Sequence, residues 1–423
     1  MTTAIRNYLV FLKRSGRVAF VGDWRYYTWM GLLTVVILLG LNAYAKQFSH
    51  GLIVTGMSNE VSWGVYIANF TFLVGVAAAA VMMVIPVYIY DNEELHDLVI
   101  FGELLAVAAI IMCLMFVTVD LGRPDRFWHL IPGLGQMNFP NSLLSWDVIV
   151  LNGYLLLNVH ICGYLLYCRY QNRKPSKWFY IPFVFIAIVW AISIHTVTAF
   201  LYVGLGGRPF WNSSIVGPRF LASAFSAGPA LIILALQIIR RVTRYDISDR
   251  ALLTLRSIVQ VAMLINVFLL VNEVFKEFYS GNLHVASSKY LFLGLHGYHA
   301  LVPWIWTAIA FNLIAMVLLV LPVSRSLKWL NLTCVLCIVG IWIEKGMGLV
   351  IPGFIPTPLG EMIEYSPSLN ETLICFGIWA FGLLCYTIFL RMAVPILQGR
   401  LSKANEGQPD FHPAGLRPSA ARR

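Results

Sequence analysis

Long runs of apolar residues recur along this chain, and they constrain its fold more than any other feature. Ten can be drawn: Tyr27–Lys46, Val61–Tyr90, Leu98–Gly122, Leu143–Cys168, Phe179–Leu205, Ile215–Ile239, Leu252–Phe275, Leu295–Leu321, Leu327–Val350 and Leu373–Leu397. Each is long enough to cross the hydrocarbon core of a bilayer as a helix. In lipid the backbone must satisfy its own hydrogen bonds, so the fold expected is an all-α integral membrane protein of about ten transmembrane helices. A β-barrel would show short alternating segments instead. Of the residues 59% are hydrophobic and only 12% charged, whereas a soluble domain is about half apolar and about a quarter charged. That balance sets aside a soluble enzyme, a disordered chain and a nucleic-acid-binding domain. The net charge of +10 then reads as basic loops at a membrane surface rather than a site for nucleic acid. Seven Cys, most inside apolar runs, form no disulfide framework.

The first run starts at Tyr27, and no small-residue cleavage pattern follows it, so it reads as a retained helix rather than a signal peptide. Three regions follow. Residues 1–26, with Arg6, Lys13 and Arg14 set among aromatic and apolar residues, form an N-terminal segment expected to lie along the membrane surface. Residues 27–398 form the ten-helix domain, and residues 399–423, rich in Pro, Gly, Ala and basic residues, a flexible cytoplasmic tail. With the N-terminus in the cytoplasm, 22 Lys and Arg fall inside and 8 outside. This asymmetry predicts that both termini are cytoplasmic.

An ionisable group inside a membrane costs several kcal/mol unless paired or hydrated, so its depth is informative. In this orientation Glu60 opens the second helix on the outer side, and Asp120, Arg123, Asp125, Arg126 and His129 close the third. Asp147 stands one turn into the fourth helix from outside, and His195 about two thirds of the way out along the fifth. Glu273 lies near the outer end of the seventh helix, His296 and His299 open the eighth on one face, and Glu344 and Lys345 lie near the outer end of the ninth. Only Glu103 and His160 belong to the inner half. Acids, bases and aromatics thus gather on one side. That suits a proton-coupled site open to the outer leaflet, with a quinone as the natural ligand: its tail arrives from lipid, and its head needs proton donors and acceptors.

Each group also has a plainer reading. Glu60 suits a helix dipole. Arg123, Asp125 and Arg126 suit an interfacial salt-bridge network, and His129 an interfacial histidine. His160 suits a buried histidine bonded to a neighbouring helix. Glu273 suits a pair with Lys276, while Glu344 and Lys345, on different faces, each call for a separate partner. Glu103, Glu273, His299 and Glu344 together are candidates for a proton path. Cys334 and Cys337 have CxxC spacing but sit inside an apolar run, where packing explains them. No metal site, haem-ligating histidine pair, P-loop, dinucleotide fingerprint or four-Cys iron–sulfur pattern is legible. If the protein moves electrons, partners are expected to carry the redox centres.

Three stretches carry a resemblance. Gly51–Phe72 with its Ser58-Asn59-Glu60 and Trp63-Gly64, continued by Val74-Gly75, is similar to the NrfD/polysulfide-reductase membrane-subunit family. So are Asp120-Leu-Gly-Arg123-Pro-Asp125-Arg-Phe-Trp-His129 and Asn141-Ser-Leu-Leu-Ser-Trp-Asp147. Within the family the stretches most resemble subunit P of the sulfite-reductase-associated DsrMKJOP complex, with the ten-helix anchor of group 1 hydrogenases similar too. The resemblance implies two four-helix bundles plus two extra helices. It also implies a quinone (menaquinone or ubiquinone) pocket near the outer face, with no haem or iron–sulfur cluster in the chain itself. The implied partners are a periplasmic ferredoxin-like iron–sulfur subunit, a multihaem cytochrome c, a haem-b membrane subunit and a cytoplasmic iron–sulfur subunit. The family's motif residues carry over as Glu60, Trp63, Asp120, Arg123, Asp125 and Asp147. His129 and His195 join the expected quinone and proton site on the depth argument. The competing readings are a secondary transporter, which predicts matched broken helices and polar groups at mid-depth, and a structural anchor without a pocket.

Overall fold

The computed structural model describes residues 2–131, 133–281 and 285–405. Among them the chain is helical, without strands. An amphipathic helix, α1 (Thr2–Ala19), precedes α2 (Trp24–His50). Then follow α3 (Val65–Ala78), α4 (Val81–Tyr88), the short α5 (Glu93–His96), α6 (Val99–Asp120), α7 (Leu143–Tyr170), α8 (Lys177–Val203) and α9 (Val216–Thr243). The remainder comprises α10 (Asp249–Ser280), the short α11 (Val285–Phe292), α12 (Val302–Val320), α13 (Leu327–Lys345), α14 (Met347–Val350) and α15 (Leu369–Leu397). With α3–α4 and α13–α14 each taken as one span, ten helices are long and apolar enough to cross a membrane. This is a multi-pass membrane protein. Ten crossings put the first and last described residues at one end, here called the near end; α2 runs from it to the far end.

The helices pack as neighbours along the chain: α3 on α6, α7 on α8, α9 on α10 and α12 on α13. Helix α9 joins the first set to the second by touching α3, α8 and α13, while α2 and α15 pair with each other and α15 lies against α6. Lipid gives no hydrophobic drive between helices, so close approach depends on small residues. At Gly40 an added Cβ would lie 2.7 Å from the Cα of Gly377 on α15. At Gly228 on α9 it would lie 1.9 Å from the Cβ of Ala79. Asn69 ties three helices together, because its Oδ1 accepts the indole N–H of both Trp342 (3.1 Å) and Trp379 (2.9 Å).

Several boundaries differ from those expected. The second span starts at Val65 rather than Val61, because Ser58 folds the preceding segment into a turn by accepting the N–H of Glu60 and Val61. Glu60 therefore lies in a loop and does not open a helix. The eighth span starts at Val302, not Leu295: positive φ at Gly294, His296 and Gly297 and a Leu295–Tyr298 bridge make the intervening residues a tight turn. His296 and His299 thus do not share a helical face. Of the tail expected to be flexible, 406–423 lie outside the described residues. The segment 399–405 folds back, with Leu401 buried and the carbonyls of Ser402 and Asn405 bonded to Arg14.

Candidate functional site

On α8, His195, Thr198 and Tyr202 stand at i, i+3 and i+7 and so form one stripe. All three are buried against α3 and α7. Thr198 Oγ1 donates to Asp147 Oδ1 at 3.0 Å and also approaches the Ile194 carbonyl at 2.8 Å, so one proton is shared between two acceptors. Tyr202 O–H lies 2.5 Å from Thr71 Oγ1 on α3. Thr71 spends its own proton on the Ile67 carbonyl, so the tyrosine donates. His195 points toward Gly75, where an added Cβ would sit 3.8 Å from its Nε2; its Nδ1 is buried without a partner among the described residues. Asp147 is 1% exposed. Among the described residues no Lys or Arg forms an ion pair with it. A carboxyl, an imidazole and a phenol therefore lie in one buried region without a fixed countercharge among the described residues.

Toward the far end this stripe runs into an aromatic box. Trp211 is fully buried and lies 5.6 Å from Trp63, 5.4 Å from Tyr202 and 4.9 Å from Phe354 between ring centroids. Its indole N–H donates to the Leu349 carbonyl at 2.8 Å. Gly353 makes room for it, since a Cβ there would lie 1.9 Å from the indole. Phe220 of α9 packs on Tyr202 at 5.7 Å. Asp120, the last residue of α6, has a buried Oδ1 without a partner among the described residues. Beside it Gln47 donates to the Val119 carbonyl at 2.6 Å and accepts the Tyr66 hydroxyl at 2.7 Å. Glu371 is also buried here, but its oxygens are fully used: they take Tyr365 O–H at 2.7 Å, Gly56 N–H at 2.6 Å and Ser368 N–H at 2.8 Å, closing a capping box on α15.

A second polar cluster lies among α9, α10, α12 and α13. Arg219, one residue before Phe220, pairs with Glu273 and donates to Glu344 Oε1 at 2.6 Å. Asn312 donates to Glu344 Oε2 at 2.6 Å, and Lys345 Nζ lies 3.5 Å from Glu344 Oε1. Glu273 thus pairs with Arg219, while Lys276 pairs with Glu277 at 3.0 Å. Glu344 does have partners on other helices, Arg219 and Asn312, whereas the ion pair of Lys345 is with Glu344 itself. The reason is Arg219, a charge inside the helical run that draws both carboxylates across the bundle. A cavity of about 20 Å³, room for about one water molecule, opens beside Arg219, Glu273, Glu277 and Ser288.

The remaining sequence-chosen residues are dispersed. Arg123 and Asp125 form an exposed bidentate pair at 3.0 and 2.9 Å in the turn after α6, and the Arg123 guanidinium holds the Asp125 carboxyl below its usual range. His129 is exposed and stacks on Trp128 at 3.8 Å. Glu60 is half-buried in the loop before α3, and His299 is exposed before α12. Glu103, buried near the near end of α6, accepts Cys162 Sγ at 3.1 Å. His160 is half-buried, among Tyr164, Phe179 and Phe183. Of the eight expected quinone-site residues, Asp147 and His195 share a buried cluster, with Trp63 and Asp120 beside it. Thr71, Thr198, Tyr202, Trp211 and Arg219 were not singled out from sequence. Arg219 had a signal there, a lone charge within the Ile215–Ile239 run.

A family described as polysulphide reductase, NrfD, matches residues 53–356. The chain belongs to the NrfD family. The matched stretch of this NrfD protein takes in every span from α3 to α14 and leaves out α2 and α15, the two helices that pair with each other. A putative dimethyl sulfoxide reductase membrane subunit of Halobacterium salinarum is 26% identical over 77% of the chain and 77% of its own length. The Hdr-like menaquinol oxidoreductase integral membrane subunit of Archaeoglobus fulgidus is 22% identical over 87% of the chain and 93% of its length. A polysulfide reductase chain of Wolinella succinogenes is 29% identical over 40% of the chain and 56% of its length. Those three are named as parts of oxidoreductases, and this NrfD protein is similar to each.

Proposed function

We propose that this protein is the quinone-reactive membrane subunit of a multi-subunit respiratory oxidoreductase, with both termini in the cytoplasm and the far end facing outward across the cytoplasmic membrane. The observation that carries the reading is the buried group of Asp147, His195, Thr198 and Tyr202 against Thr71, which holds proton donors and acceptors without a countercharge. A quinone head takes up a proton at each oxygen when it is reduced and releases both when the quinol is oxidised, and an acid and an imidazole in one buried cluster are suited to that exchange. The aromatic box of Trp63, Trp211 and Phe354 supplies flat apolar surface for the ring. The named relatives support the reading, above all the menaquinol oxidoreductase subunit. The chain's own part is to bind the quinone head, exclude water and move its protons. Electrons are exchanged with an iron–sulfur partner at the outward end, in the manner of a ferredoxin-like subunit.

At finer grain the reading is a subunit resembling the P subunit of DsrMKJOP assemblies, linked to dissimilatory sulfur metabolism. A multihaem cytochrome c, a haem-b membrane subunit and a cytoplasmic iron–sulfur subunit would complete such a complex. A transporter is less well supported. The two interrupted spans break midway along one, between α3 and α4, and at the far end of the other, before α14, so they are not matched in depth. Photolabelling of the isolated complex with an azidoquinone tests the assignment. Label on α3, α7 or α8 is expected, and label confined to α10–α13 overturns it.

A further inference from the structure

Helix α1 presents two strips that the bundle leaves uncovered. Its seated side is Phe11, Ser15, Val18 and Ala19, all buried. The Phe11 ring lies 5.3 Å from Tyr167 and 5.2 Å from Tyr170. Arg14 donates to the Tyr170 hydroxyl and to the carbonyls of Ser402 and Asn405, each at 3.1 Å. These partners lie at the near end of α7 and just past the near end of α15, so α1 lies across the end of the bundle instead of prolonging α2. With 3.6 residues per turn, Ile5, Leu9 and Leu12 fall on one strip, and they are 52%, 58% and 40% exposed. Arg6 and Lys13, both exposed, fall on a second strip roughly a quarter turn away, where Arg17 also lies. Phe20, Trp24 and Tyr27, all exposed, lead the chain from α1 into the first span and form an aromatic collar of the kind found at membrane interfaces.

We propose that α1 is a membrane-surface helix that binds the anionic phospholipid headgroups of the near-end leaflet. Arg6 and Lys13 meet the phosphates while Ile5, Leu9 and Leu12 enter the outermost acyl region. An apolar strip beside a cationic strip is the pattern that lets a helix lie in the interface plane. Basic side chains at that height gain from an anionic leaflet. The aromatic collar, next in the chain, fixes the same height. A protein docking here would have to cover both strips at once, whereas lipid meets each at its natural depth. The inference rests on the membrane-spanning fold and not on quinone chemistry.

The test uses the full chain in nanodiscs of phosphatidylcholine, with and without phosphatidylglycerol. A Leu9→Cys variant carries an environment-sensitive dye. Blue-shifted emission that is quenched by nitroxide on the acyl chains is expected. A water-exposed dye in both kinds of disc overturns the proposal, including a dye that becomes shielded only when partner subunits are added back. Phosphatidylglycerol retained through native mass spectrometry gives a second readout. The Arg6→Gln/Lys13→Gln variant is expected to retain about tenfold less, two basic groups having left an anionic surface, and the Arg6→Lys/Lys13→Arg variant is expected to restore it. Equal retention in the Gln variant and the wild type overturns the proposal. Quinol turnover of the complex is expected to be unchanged in the Gln variant, so this inference and the quinone site stand or fall separately.

Discussion

In the α9–α13 half, each carboxylate of the central cluster sits against a cation: Arg219 lies between Glu273 and Glu344, and Lys345 touches Glu344. In the α3–α8 half, Asp147 has among the described residues a threonine hydroxyl as its side-chain partner, and the buried Nδ1 of His195 has none there. The two clusters meet at α9, where Arg219 turns to one and Phe220 to the other. The difference separates structural charge from chemical charge. A cluster balanced by fixed cations holds its pattern, and losing one member leaves a buried charge without compensation. A cluster of neutralisable groups without fixed countercharge can change protonation state, which is what proton exchange with a ligand requires. Of the residues weighed for a proton path, Glu273 and Glu344 belong to the balanced cluster, His299 is exposed before α12, and Glu103 bonds to Cys162 at the other end. They do not form one continuous series of contacts.

The strongest way to break this contrast is Arg219→Leu. Both Glu273 and Glu344 would lose their shared cation, at a cost of about 3–5 kcal/mol. The expected outcome is a large fall in the thermal midpoint of the detergent-solubilised complex and poor recovery of the subunit, with Arg219→Lys intermediate. Wild-type stability of the Leu variant would show that the second cluster is not held by charge balance.

Asp147→Asn probes the other half. The amide can still accept from Thr198 but cannot titrate. Quinol oxidation by the complex is expected to fall about 10²-fold or more, the scale of general acid–base catalysis, with the assembly intact and its thermal midpoint unchanged. His195→Gln is expected to lower turnover in the same assay, also without loss of assembly. Full turnover in both variants would remove the unpaired cluster from the chemistry.

A smaller effect is expected at the seam. Asn69→Leu leaves the indole N–H groups of Trp342 and Trp379 without their shared acceptor. Both donors are partly buried, so each stranded one costs up to about 1–3 kcal/mol. The thermal midpoint should fall, and Asn69→Asp, which keeps the acceptor, should recover part of it. No recovery would mean that the loss came from packing rather than from the two hydrogen bonds.

The spans were legible in the amino-acid sequence because lipid demands uninterrupted apolar length, and each of the ten runs overlaps one of the ten spans. Their ends were less so. Leu295 and Tyr298 look like span residues, yet positive φ at Gly294 before them and at His296 and Gly297 between them folds them into a turn. Within the site, Asp147 and His195 were visible as ionisable groups in apolar surroundings. Thr71, Thr198 and Tyr202 were not, because hydroxyl side chains are common in membrane helices, and only the spatial stripe on α8 gives these three a role. Glu371 escaped notice because its partner Gly56 is 315 positions away in the chain. Arg219 sits near enough to a run's end to be counted among loop charges.

The mildest perturbation tests the outermost sequence signal. Arg123 and Asp125 lie in one of the stretches that carry the family resemblance, yet they form an exposed pair on the far-end surface, away from the unpaired cluster. Exposed ion pairs contribute little to stability and are screened by salt. Because Arg123 holds Asp125 below the usual carboxylate range, the carboxylate stays ionised through neutral pH and loses its charge only in acid. Arg123→Ala/Asp125→Ala is therefore expected to leave the thermal midpoint and the intrinsic quinol affinity unchanged. If the far-end surface receives the iron–sulfur partner, the same variant should weaken partner retention more at low salt than at high salt. A fall in quinol affinity with the partner fully retained would instead place this pair in the pocket and blur the line between the surface and the buried acid–base cluster.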